Sequence, residues 1–158
     1  MIALVVCAAP PALRIRELID LLMGEGWSVC VTATPTAASW IDLDALAYQT
    51  GHPIRVNWRL PGESEPHPTA DVAVVAPATF NVMNKWAHGI NDTPALGVLN
   101  QSLGAGLPVY AFPNVKAELA GHPAYATSIE RLSHAGTIIV DLDADLDWRV
   151  VTRTVAFA

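Results

Sequence analysis

Two cysteines in 158 residues, Cys7 and Cys30, are too few for a disulfide framework. Both lie in strand-like apolar runs, which predicts reduced core thiols rather than a bridge or a metal pair. Positive charge is scarce too: nine Lys and Arg against fifteen Asp and Glu give a formal net charge of −6, and no cationic cluster exists to grip phosphates. That balance argues against nucleic acid as the main partner. No uncharged apolar run approaches the roughly 18–20 residues that span a bilayer. The opening MIALVVCAAPP has no basic start and only about eight apolar residues in a row, so it reads as a first strand rather than a signal peptide, and a cytoplasmic location is expected. The histidines His52, His67, His88, His122 and His134 lack metal-ligand spacing, so no metal site is expected. A glycine-rich dinucleotide fingerprint and a Walker lysine are absent as well, which removes the generic nucleotide readings.

What is present is hydrophobicity. Residues of that kind make up 52% of the chain against 15% charged, which excludes disorder. The length is that of one domain, here residues 1–158, and so apolar a chain is expected to self-associate. Continuous apolar runs at Ile2–Cys7, Ser28–Ala33, Val72–Ala76, Pro108–Phe112 and Thr137–Val140 predict strands, with a short extra one near Ile54–Val56. Between them, Ile15, Leu18, Ile19 and Leu22 repeat at helical spacing up to Gly24 and Gly26. Val82, Met83, Trp86 and Ile90 share one face of a helix that stops near Gly89. Thr93-Pro94 opens another helix that carries Leu96, Leu99 and Leu103 inward, and a last one starts at Pro123 and buries Tyr125, Ile129 and Leu132. Strand alternating with helix predicts an α/β protein, a three-layer, doubly wound, Rossmann-like parallel sheet. The stretch from Asn57 to Thr69, with three prolines, reads as a surface loop.

In such sheets ligands bind beyond the carboxyl ends of the strands. The residues there are small or hydroxylated: Cys7-Ala8-Ala9-Pro10-Pro11, Thr32-Ala33-Thr34-Pro35-Thr36 and Pro77-Ala78-Thr79-Phe80-Asn81. That chemistry suits a phosphate held by N–H groups and hydroxyls, with a flat ring against a small-residue loop. Equally open is a plain turn in which Thr79 caps the next helix.

The segment PATFNVMNKWAHGINDTPAL resembles the PASANT motif region of the homo-oligomeric flavin-containing cysteine decarboxylases. TATPTAASWI is similar to that family's phosphate-side segment, and FPNVKAELAGHPAY stands where its substrate clamp, PxMNxxMW, is found. The resemblance runs from Ile2 to about Val140. It implies FMN held at a subunit interface, in homotrimers that in some members form dodecamers, and oxidative decarboxylation of a substrate ending in cysteine, a peptide or a small molecule. It also implies the residue roles. Asn81 orients the substrate carboxylate. Pro77, Ala78 and Thr79 lie against the flavin, Ala8 and Ala9 give close approach, and Thr34, Thr36, Ala37 and Ala38 match the phosphate side. Asn91 and Asp92 match the turn after the helix. His67 stands for the catalytic histidine that precedes the motif strand, though nearer to that strand than in the family.

Departures concentrate in the clamp. Pro113 and Asn114 match, but Val115 replaces Met, Lys116 replaces Asn, and Leu119-Ala120 replace the Met-Trp pair. Lys116 is a candidate for the substrate carboxylate. The altered clamp favours a peptide ending in cysteine over phosphopantothenoylcysteine. The alternatives are the phosphopantothenoylcysteine reaction itself, or a flavoprotein of this fold that has lost decarboxylation.

Overall fold

A computed structural model describes residues 1–143 and 145–156. Five strands, β1 (Ile2–Val6), β2 (Val29–Ala33), β3 (Val72–Ala78), β4 (Val109–Pro113) and β5 (Ile138–Ile139), form one sheet in the order β2-β1-β3-β4-β5. All pairs are parallel, with Leu4 of β1 level with Val31 on one side and Val74 on the other. Helices cover both faces. That is why β2, β3 and β4 bury every residue and read as unbroken apolar runs instead of alternating ones.

On one face Ile2, Leu4, Val6, Val29 and Val31 pack against α1 (Ile15–Gly24) and α8 (Arg149–Val155). Trp148 joins this layer, and its indole N–H donates to the Arg14 carbonyl at 3.2 Å, tying the start of α8 to that of α1. On the other face Val5, Cys7, Ala73 and Val75 meet α4 (Phe80–Ala87), α5 (Pro94–Gly104) and α7 (Pro123–His134). The result is the expected three-layer α/β sandwich. Among the described residues no helix is long and apolar enough to cross a membrane.

Local chemistry accounts for the helix starts. The Thr79 hydroxyl accepts from Val82 N–H at 3.2 Å, and the Thr93 hydroxyl accepts from Leu96 N–H at 3.2 Å with Pro94 in the first turn. Two expectations are corrected. Ile90 is not on the buried face of α4: Gly89, at φ 68°, turns the chain, Ile90 N–H returns to the Lys85 carbonyl, and the side chain is 43% exposed. Near Ile54–Val56 there is no separate strand but one parallel bridge from Arg55 to Thr32 at the edge of β2. Among the described residues, the 3-10 helix Pro10–Arg14 and four α-helices have no counterpart among the elements expected from the sequence: α2 (Pro35–Ala38), α3 (Leu43–Thr50), α6 (Ala117–Ala120) and α8. The loop after Arg55 is irregular, as expected, and Glu65 holds it by pairing with Arg55 at 3.2 Å and Arg59 at 3.3 Å.

Candidate functional site

The strand order reverses direction between β1 and β3: the chain first steps outward to β2, then returns to the other side of β1 and continues to β5. The carboxyl ends of β1, β2, β3 and β4 therefore surround one crevice. A cleft of about 690 Å³ opens there. Ala8, Ala9 and Pro10 line it from β1, Thr34, Pro35 and Thr36 from β2, Thr79, Phe80 and Asn81 from β3, and Asn114, Val115, Lys116 and Leu119 from the segment after β4. Lys85 and Asp92 face it as an ion pair at 2.6 Å. Among the described residues no carboxylate pairs with Lys116. The cleft thus combines hydroxyls at the ends of β2 and β3, apolar walls both small and large, two asparagine amides and one uncompensated cation.

The motif loop is supported from below. Cys7 N–H donates to the Pro77 carbonyl at 3.1 Å, and Asn114 N–H donates to the Ala78 carbonyl at 2.9 Å, which fixes the level at which Thr79 and Asn81 emerge. From the side, the Ser128 hydroxyl on α7 donates to Asn84 Oδ1 at 2.7 Å, and Arg131 donates to the Ala87 carbonyl at 3.3 Å, so that α4 is anchored along its length.

Burial pushes the Cys7 thiol up from an ordinary 9.0 to about 12, opposed in part by a hydrogen bond from the Thr79 backbone. The folded state holds this proton more tightly than the unfolded one. Its stabilising contribution is complete below pH 9 and is lost as pH rises towards 12. The Tyr125 hydroxyl is raised from 10.0 to about 12, first by burial and then by the Asp141 carboxylate, and acts in the same direction. We expect the urea midpoint to fall steadily between pH 9 and pH 11 and Cys7→Ala to flatten part of that fall; a midpoint unchanged over this interval would contradict the assignment.

Of the residues singled out from the sequence, Ala8, Ala9, Thr34, Thr36, Thr79, Asn81, Asp92, Asn114 and Lys116 come together around the cleft. Pro77, Ala78 and Pro113 are buried beneath it at the strand ends, and Ala37 packs into the core. Ala38 lies against the core cluster rather than on the cleft wall. Asn91 does not reach the cleft; its side chain accepts from Asn100 at 3.3 Å. His67 sits elsewhere, lining a separate cavity of about 270 Å³ with Arg55 and Glu65, and its Nε2 is 2.7 Å from the Pro53 carbonyl. Phe80, Lys85 and Leu119 line the cleft without having been singled out as site residues. Phe80 and Lys85 flank the motif asparagine on its own helix, a neighbourhood that points to them only once α4 is known to border the crevice.

The flavoprotein family matches residues 1–151. The coenzyme A biosynthesis bifunctional protein CoaBC of Thermococcus kodakarensis is 29% identical over 147 residues, which are 87% of this chain and 36% of that longer protein. Two solved structures share the fold: the FMN-dependent cysteine decarboxylase TvaF from thioviridamide biosynthesis, with a TM-score of 0.83 and 19% identity over 99% of this chain and 95% of that one, and the peptidyl-cysteine decarboxylase EpiD, with a TM-score of 0.79 and 20% identity over 98% of this chain and 97% of that one.

Proposed function

The chain belongs to the flavoprotein family, and from that premise we propose that it binds FMN in the switch-point cleft and oxidatively decarboxylates the C-terminal cysteine of a peptide. The observation that carries this reading is the single cleft in which Thr34, Thr36, Thr79, Asn81, Asn114 and Lys116 converge on small apolar walls. The donor set fits the cofactor: hydroxyls of Thr34 and Thr36 suit a phosphate, and Ala8, Ala9 and Thr79 leave room for a flat ring system. The name of TvaF supports FMN and that of EpiD supports a peptidyl cysteine.

FMN, when bound, supplies a two-electron acceptor. The substrate's Cβ–H would leave with its electron pair to that acceptor and the S–H hydrogen as a proton to a base, giving a thioaldehyde; the Cα–carboxylate bond would then break, CO2 leave, and the electron pair pass to sulfur as an enethiolate. Asn81 holds the carboxylate through its amide, and Lys116 offsets the negative charge while it is still on the substrate. His67 lies outside the cleft of its own chain. In the oligomer that the family resemblance implies, a second copy presents His67 to this cleft, where it takes the thiol proton.

Two experiments test the reading. The purified protein should show absorption bands near ~370 and ~450 nm, release FMN on denaturation, and bleach anaerobically with a cysteine-ended peptide. A colourless protein that takes up no FMN sinks it. If sites are shared between copies, His67→Asn and Asn81→Asp chains, each inactive alone, should recover about a quarter of full activity after unfolding and reassembly in equal mixture. No recovery means that His67 does not act from a neighbouring copy.

The coenzyme A relative favours a second reading, phosphopantothenoylcysteine as substrate. Of the two lysines on the cleft, Lys85 is already neutralised by Asp92, which leaves one cation for a substrate bearing both a phosphate and a carboxylate. Turnover of phosphopantothenoylcysteine with no turnover of cysteine-ended peptides would decide for the second reading.

A further inference from the structure

We infer that Phe80 determines specificity by forming, with Val115 and Leu119, an apolar wall for the side chain that precedes the substrate cysteine. The inference rests on the peptide reading above and names the substrate more narrowly: a peptide with an apolar residue next to its terminal cysteine.

Phe80 is the residue before Asn81 and lines the same cleft. Its ring is packed from two sides. Tyr125, itself buried, stacks on it with centroids 5.8 Å apart and planes at 28°, and His122 meets it edge-on at 5.9 Å and 78°. His122 is held in turn, because its Nδ1 accepts from Ala124 N–H at 3.1 Å as the cap of α7. The ring is thus packed by two neighbours, in a residue that stays partly exposed and lines the cleft.

Leu119 complements it. It sits on α6, none of whose residues are buried, and it is 44% exposed while lining the cleft. A leucine placed there leaves apolar surface in contact with water, and it gains from covering an apolar group bound in the cleft. Val115 lines the same region. Phe80 adjoins the asparagine assigned to the carboxylate and borders the same cleft, so that a group held by Asn81 has apolar surface within reach of its preceding residue.

The test uses FMN-loaded protein and two short peptides that differ only in the residue before the terminal cysteine, leucine or asparagine, which are close in size. The leucine peptide should have a KM lower by about tenfold, with kcat changed little. In Phe80→Ala the preference should shrink to less than about threefold, and Phe80→Leu should restore most of it. Equal KM values in the parent protein, or a preference that survives in Phe80→Ala, overturn the inference. Because the reaction itself could fail, the same pair ending in serine is titrated by calorimetry. A Kd about tenfold lower for the leucine member supports the wall even if no CO2 is released, which sinks the decarboxylase reading alone. Equal Kd values, or no binding of either peptide, sink the wall.

Discussion

Asn81→Asp is expected to abolish CO2 release from a cysteine-ended peptide while leaving FMN in place. Asn81 stands in the first turn of α4, exposed on the cleft, with the Thr79 hydroxyl capping the turn. An amide there donates a hydrogen bond to a carboxylate; an aspartate presents a second negative charge instead. Loss of one aligned donor commonly costs about 10²–10³ in rate, and repulsion adds to it. The substitution also separates chemistry from folding. A negative charge in the first turn of a helix interacts favourably with the helix dipole, so the variant should melt no lower than the parent. Mass analysis for loss of CO2, together with the visible spectrum and a thermal melt, reads all three quantities. Activity within about tenfold of the parent, with the fold intact, removes Asn81 from the carboxylate-binding role.

The second large effect is on stability. Trp86 is 2% exposed and is among the largest buried side chains in the layer formed by α4, α5 and α7. Truncation to alanine opens a cavity and should cost about 3–5 kcal/mol, a large part of the roughly 5–15 kcal/mol that holds a domain together. Its indole Nε1 has no hydrogen-bond partner among the described residues. Trp86→Phe therefore loses volume without losing a bond and should cost less than half as much as Trp86→Ala. Urea unfolding of both variants checks the order. The reverse order would mean that Nε1 does have a partner and that it contributes to the fold.

The sequence revealed the sheet more readily than the site. Strands buried on both faces leave an unbroken apolar run, which is why β1 to β4 were legible to within about two residues. α5 was legible because Thr93-Pro94 states its start and Leu96 and Leu99 its inner face. α3 was not: its buried residues are only Leu46 and Thr50, one contact stripe too short to stand out as periodicity, and its clearest signal is the Asp42 carboxylate accepting from Ala45 N–H. α8 was missed although Val151 and Val155 are buried, because a single pair of residues one turn apart also fits irregular chain. At the cleft, the small and hydroxylated residues after each strand identified the place, since that position follows from topology. Lys85 falls on the polar side of α4 but was not assigned to the site, because that side faces both solvent and cleft and no periodicity distinguishes the two. The position of His67 depends on the path of the irregular loop before β3, which neither spacing nor composition dictates.

The strand order has a consequence for how the molecule comes into being. β1 pairs with β2 as soon as the first βαβ unit has been made, and β3 then joins the free side of β1. After that, β4 adds to β3 and β5 to β4. Every later strand docks on an open edge, and none has to be inserted between two that are already paired. A chain leaving the ribosome from its N-terminus can therefore extend the sheet in the order of translation, each addition burying apolar surface that the previous one left bare. The cleft needs the carboxyl end of β4 and Leu119 beyond it. It closes only when synthesis has passed Leu119, so a nascent chain shorter than that has a growing core and no place for a ligand.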